Sequence, residues 1–305
     1  MVERNPILDF FTHAILILAI LIVTFPILYA LIASTKTASE VQRVPMSLVP
    51  GNRLVENMGE ALTKGNLGRV LLNSVIMSVA IVVGKIAISI LSAFAIVYFR
   101  FPLRQTTFWL IFVTLMLPVE VRIIPTYQVA VNVLQPLQWT WDFLHLQQLL
   151  QLGGWRVKVA FQWSLLDSYS GLVLPLVASA TATFLYRQFF LTIPDQLAEA
   201  AKLDGAGPMQ FFWYILLPMS STSTAALVVI LFIYGWNQYL WPLLVTTDPN
   251  MMTGVIYIRR MMPAPSDPQI WNIVMADSLL VLLPPMIVVV AMQRWFVQGL
   301  IEGEK

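Results

Sequence analysis

Six stretches of this chain, over 14–32, 74–97, 108–129, 171–190, 224–245 and 274–296, are apolar for about the length of a bilayer crossing. A helix needs about 20 such residues to span the hydrocarbon. That repeated length limits the possible folds more than any other feature. The expectation is an all-α polytopic membrane protein with six transmembrane helices and both termini on one side. The third stretch is the most interrupted, because Pro118, Glu120, Arg122 and Pro125 crowd its second half. Composition agrees: 58% of residues are hydrophobic and 11% charged, against about 25% charged in a soluble domain. The first run follows an early Arg4 and lacks a small-x-small cleavage site, so it reads as a retained span and not a signal peptide.

Between the spans, 34–69 is polar and broken by Pro45, Pro50 and Gly51, and predicts a loop with one short helix near 54–62. No repeat of fixed period and no low-complexity tract occurs. The expectation is a single transmembrane domain over 1–305.

Several chemistries lack their parts. Cysteine is absent, which excludes disulfides, iron-sulfur clusters and cysteine nucleophiles. Gly84-Lys85 is not a phosphate-binding loop, because Val79 stands where such a loop needs its first Gly and Ile86 where Ser or Thr would bind magnesium. His13 and His145 are far apart and have no Asp or Glu at ligand spacing. No catalytic residue and no metal site are therefore assigned. The net charge of +2, without an arginine-rich run, gives no sign of a nucleic-acid partner.

One interruption of the apolar pattern is itself helix-like. Pro194 and Asp195 suit a first turn, 196–203 are helix formers, and Asp204-Gly205 is a stop in which Gly takes the left-handed conformation. Pro208 then suits the start of a second short helix, which Pro218 ends. The string Glu199-Ala200-Ala201, Gly205, Ile215 and Leu217-Pro218, with Asp204 beside the Gly, resembles the EAA loop of membrane subunits of ATP-binding-cassette importers. Phe99–Arg104, Trp236–Leu244 and Gln293–Leu300 are similar to the carbohydrate-importer branch. The segments Leu115–Ile123, Leu166–Tyr169 and Ala178–Leu185 are similar to its phosphorylated-glycerol importers.

The resemblance covers nearly the whole chain except 132–164, and it implies a type I importer permease fold. It places the loop over 191–222 on the cytoplasmic side, seated in a separate ATPase through Glu199, Ala200, Ala201, Asp204, Gly205, Ile215, Leu217 and Pro218. Segments 34–69, 132–165 and 246–272 are then external, both termini cytoplasmic, and the location is the inner membrane. Counting basic residues disfavours this orientation, since more Lys and Arg fall outside than inside; only the short Arg100–Arg104 loop favours it.

The implied partners are a sister permease, two copies of the ATPase, which binds ATP and Mg, an external substrate-binding protein, and membrane lipid. The implied cargo is sn-glycerol 3-phosphate or a glycerophosphodiester, with maltose-like sugars as competitor. An ion-coupled carrier would want an internal repeat and a chain of intramembrane carboxylates, whereas only Asp277 and the marginal Glu120 are present.

Three places hold polar side chains at membrane depth. Lys85 sits mid-span, where a charge costs at least about 2.5–3.5 kcal/mol unless it faces a wet cavity or a partner; it contacts substrate or pairs inside the bundle, for instance with Asp277. Asn237, Gln238 and Tyr239 either line a pathway or act as interhelical glue and interfacial anchor. Glu120 and Arg122 either line a broken helix or snorkel to the interface. The candidate pathway residues are Lys85, Glu120, Asn237, Gln238 and Tyr239.

Finally, 140–152 predicts one helix capped by Thr140 or Asp142, stopped at Gly153, apolar along Phe143, Leu146, Leu149 and Leu150, and lying on the outer membrane surface or against the sister permease with Trp139, Trp141, Trp155 and Trp163 nearby.

Overall fold

The computed structural model describes residues 6–114, 119–152 and 160–302. Every regular element among them is helical. The expectations for Arg4, Leu115–Pro118, Gly153-Gly154 and Trp155 lie outside the described residues, as do the side chains of Glu120 and of 295–302. Three helices are long and apolar enough to cross a membrane in one piece: Leu8–Ser34, Leu67–Tyr98 and Trp271–Arg294. Two bent pairs add further spans if each is counted as one. They are Tyr169–Leu176 with Ala180–Thr192, bent by 49°, and Pro208–Met219 with Ser221–Trp236, bent by 71°. That makes three to five of the six expected spans among the described residues.

The interruptions have local causes. The fourth stretch breaks at Leu174–Leu176, a 3-10 turn containing Pro175, and restarts with the Ser179 hydroxyl accepting from the Ala182 N–H at 3.3 Å. The fifth was expected to run through to 245. Instead the helix Ser221–Trp236 stops and a separate helix Leu240–Val245 follows. Pro242 cannot donate to the carbonyl of Gln238, and its ring crowds that carbonyl, so one continuous helix is disfavoured. The third appears as Arg104–Val113 and Val119–Val131, the second containing Pro125.

The chain divides into two compact units. The first comprises 1–71 and 254–284. Its long helix Pro6–Ser34 exposes large apolar side chains nearly all round, as a helix facing lipid does. The polar segment after it is held by Asn57, on the short helix Leu54–Lys64 that the sequence anticipated. The Asn57 amide donates to the Ser34 carbonyl at 2.7 Å and the Lys36 carbonyl at 2.8 Å, and its own carbonyl accepts from Asn272 at 3.1 Å. Two carbonyls at a buried helix end thus find the donor that the helix itself cannot supply there. Thr37 and Glu40 form a reciprocal capping box on the short helix Ala38–Val41.

The second unit comprises 72–253 and 285–305. Met77 and Ile81 of the helix Leu67–Tyr98 pack with Ala130, Leu165, Leu172, Trp241 and Val245. Helices approach closely at small residues: a Cβ on Gly235 would stand 3.1 Å from the Ser78 Cα, so even a methyl group there would crowd the facing backbone. Tyr186 and Thr224 hydrogen-bond between helices at 2.9 Å.

At the far end of Ser221–Trp236 lies a polar lattice. Asp167, with φ +50°, accepts from the Thr247 hydroxyl and from the N–H groups of Thr247 and Asp248. Buried Asn73 donates to the Asn250 carbonyl at 2.8 Å and the Met252 carbonyl at 2.9 Å, and accepts from the Tyr169 hydroxyl at 2.6 Å.

The tryptophan-rich segment differs from expectation. Two helices, Gln135–Phe143 and Leu146–Leu152, replace the single helix over 140–152. Pro136 starts the first earlier, so Thr140 and Asp142 lie inside it and cap nothing. His145, at φ +54°, then breaks the chain direction. Trp139 and Phe143 are exposed, whereas Trp141 packs edge-on against Phe161.

Candidate functional site

The loop over 191–222 forms a helix-turn-helix. Its first helix, Asp195–Leu203, has Asp195 in the first turn and Lys202 in the last, both favourable to the helix dipole. It ends as its residues dictate. The Ala206 N–H reaches back to the Ala201 carbonyl at 2.9 Å and the Gly205 N–H to the Lys202 carbonyl at 3.0 Å, with Gly205 at φ +77°. This is the paired C-terminal bond pattern that a left-handed residue closes. Ala201 is buried, while Glu199, Ala200, Asp204 and Gly205 are exposed and Leu203 is 89% exposed.

The second helix starts at Pro208, with the Gly207 N–H donating to Gln210 Oε1 at 2.7 Å. Pro218 does not end it. The chain widens into a π turn over Phe212–Leu216 and continues through Leu217–Met219. A π turn relieves the clash that Pro218 would make with the Tyr214 carbonyl. The inward side of this helix is aromatic: Phe212 lies 5.1 Å from Phe94 and Phe211 lies 5.2 Å from Tyr98, ring centre to ring centre. Both rings are buried, so the loop is anchored to the end of Leu67–Tyr98.

Ile215 and Leu217, which the sequence nominated, are half-buried beneath the surface, and Pro218 is exposed. Met209, Gln210, Trp213 and Tyr214, which it did not nominate, line an open depression of about 450 Å³, and Tyr214 is 79% exposed. The π turn rotates these aromatics outward, and a proline four residues after Tyr214 was the available sign of it.

The polar patch is arranged differently from its order in sequence. Lys85 is only 6% exposed, and its ammonium stands 4.2 Å over the centre of the Tyr234 ring. A cavity of about 140 Å³ is lined by Arg122, Ile123, Thr126, Leu176, Tyr234 and Trp241, among others. Asn237 is an exposed helix terminus, Gln238 donates to the Tyr234 carbonyl at 3.1 Å, and Tyr239 is partly exposed. None of these three lines the cavity. Trp241 Nε1 donates to the Gly171 carbonyl at 3.0 Å, which fixes one wall.

The alternative partner considered for Lys85, Asp277, belongs to the other unit and is 3.5 Å from the Tyr257 hydroxyl. Glu120 is the second residue of Val119–Val131, its side chain outside the described residues. Among the described residues no group of three His, Cys, Asp or Glu could hold a metal ion.

Residues 85–302 match the family model described as binding-protein-dependent transport system inner membrane component. The chain is 52% identical, over the full length of both proteins, to the sn-glycerol-3-phosphate transport system permease protein UgpE of Rhizobium meliloti. It is 51% identical, again over both full lengths, to the protein of that name in Brucella melitensis. Among solved structures, a chain of a bacterial ABC transporter that imports the acidic polysaccharide alginate superposes with a TM-score of 0.74, at 20% identity, covering 97% of this chain and 99% of that one. At that identity the likeness is one of fold.

Proposed function

The chain belongs to the family of binding-protein-dependent transport system inner membrane components, and on that premise we propose that it is a permease subunit of an ATP-driven importer of sn-glycerol 3-phosphate. The observation that carries the substrate is the end-to-end likeness, above half identity, to permeases named for that compound. Glycerophosphodiesters are the accompanying cargo, and maltose-like sugars are the competing outcome.

In this reading the chain contributes six crossings, with the third completed by Arg104–Val113 and Val119–Val131. The loop over 191–222 and both termini face the cytoplasm; segments 34–69, 132–165 and 246–272 face outward. A sister permease completes the pathway, two ATPase copies bind ATP and Mg, and an external binding protein delivers cargo. The chain itself holds no nucleotide and catalyses no reaction. Closure of the ATPase pair pushes on the exposed face of Glu199, Leu203, Trp213 and Tyr214. The aromatic anchor through Phe211 and Phe212 carries that displacement into the helix Leu67–Tyr98. Because packed rings are not compressible, such a joint transmits motion instead of absorbing it.

Reconstitution with the sister permease, ATPase and binding protein tests the assignment. ATP-dependent accumulation of labelled sn-glycerol 3-phosphate is expected, and excess maltose should not compete. Accumulation of maltose alone would transfer the protein to the sugar importers.

A further inference from the structure

We propose that Arg122, which lines the cavity together with Tyr234, and Lys85, whose ammonium stands over the Tyr234 ring, form a station for the phosphate group of a phosphomonoester in transit. The proposal rests on the substrate reading above and adds the residues that recognise the charged end.

The first observation is a buried charge with too little compensation. Lys85 lies deep in the helix Leu67–Tyr98, and among the described residues it has no ion-pair partner. The Tyr234 face offers the ammonium a cation–π contact, which offsets less than a charge at mid-membrane depth costs. The second observation is that the nearby described charge has the same sign. Arg122 stands on the wall of the cavity that Tyr234 also lines, and the Tyr234 ring carries Lys85. A buried cation with a second, exposed cation beside it is stabilised when an anion joins them.

The third observation is the space. The 140 Å³ cavity that Arg122 and Tyr234 line is below the roughly 300 Å³ at which pockets enclose a whole drug-sized ligand. It accommodates a headgroup. Arg122 offers the planar fork that matches phosphate oxygens two at a time, whereas Lys85, which is not part of the cavity wall, supplies a point charge over the Tyr234 ring. The Thr126 hydroxyl is occupied, donating to the Arg122 carbonyl at 2.7 Å, so it serves the helix and not the ligand. A phosphomonoester carries about −1.5 to −2 charge at neutral pH, close to the combined charge of the two cations. A phosphodiester, with one negative charge, matches half of it.

The experiment compares uptake of sn-glycerol 3-phosphate and sn-glycero-3-phosphocholine by the reconstituted complete importer. Arg122→Gln should lower kcat/KM for the monoester at least tenfold and for the diester threefold or less. Arg122→Lys, which keeps the charge and loses the fork, should fall between. Arg122 is exposed, so its replacement leaves no hole in the chain. Lys85→Met should shift preference in the same direction, with ATPase co-purification confirming assembly. Equal loss of both substrates, or no loss of either, in the Arg122 variants overturns the station while leaving the transport assignment intact. Wild-type vesicles that take up neither ester overturn both.

Discussion

Gly205 offers a clean test of the proposed docking role of the loop over 191–222, because its backbone conformation and its surroundings can be separated. Its φ is +77°, and a Cβ built there meets nothing within 4 Å. Any effect of a small substitution is therefore torsional and not steric. Placing an ordinary L-residue in the left-handed region costs about 1–2 kcal/mol, and Val pays more for its branched Cβ. One or two kcal/mol changes a two-state population by roughly 5–30-fold. Here the population concerned is the loop with both bonds closed, Ala206 to Ala201 and Gly205 to Lys202. Gly205→Val should thus leave the protein inserted and the sister permease bound, but weaken ATPase co-purification and substrate-stimulated ATP hydrolysis by about that factor. Gly205→Asn, which tolerates the left-handed region, should recover most of both. If Val binds the ATPase as tightly as Gly, or if Asn is as damaging as Val, conformation at this position is not what presents the loop.

Three further outcomes are expected. Tyr214→Ala with Trp213→Ala should abolish most ATPase capture, each lost anchor costing on the order of 2 kcal/mol, while Leu203→Ala costs less; retained capture in a pull-down would show that the depression is not the seat. Asn73→Ala strands two backbone carbonyls and the Tyr169 hydroxyl at a buried site, at about 1–3 kcal/mol for a group left unsatisfied, so the melting temperature of the purified complex should fall. Unchanged melting would mean that water replaces the amide. For Asp167, the backbone N–H of Asp248, then the hydroxyl and N–H of Thr247, hold the carboxyl below its ordinary value. A lowered folded pKa contributes above the unfolded value and is lost as pH falls through the folded one. Amide protection over 246–252 should therefore be flat from pH 8 to 5 and decline only below about 4, the ordinary aspartate value. Asp167→Gly, which keeps the positive φ, should show the loosened state already at neutral pH.

The sequence alone determined the class of this protein. Apolar run length is a one-dimensional property set against bilayer thickness, so the membrane setting and the helical fold follow without tertiary information. The helix-turn-helix over 191–222 was equally legible, because Asp204-Gly205 and Pro208 act on their own backbone and need no distant partner. What the chain could not disclose was whether each apolar run stays one helix. Prolines at 125, 175 and 242 permit a break, but whether it occurs depends on which neighbours satisfy the freed backbone groups, as Trp241 does for the Gly171 carbonyl. The same reason hid part of the charged station: the sequence marks Lys85 and Arg122 as polar at membrane depth, but Tyr234 lies far from both along the chain and nothing in the sequence brings it to them. Only packing turned Tyr234 toward the cavity and left Gln238 bonded to its carbonyl, since the side a residue presents is decided by the helices it meets and not by its neighbours along the chain.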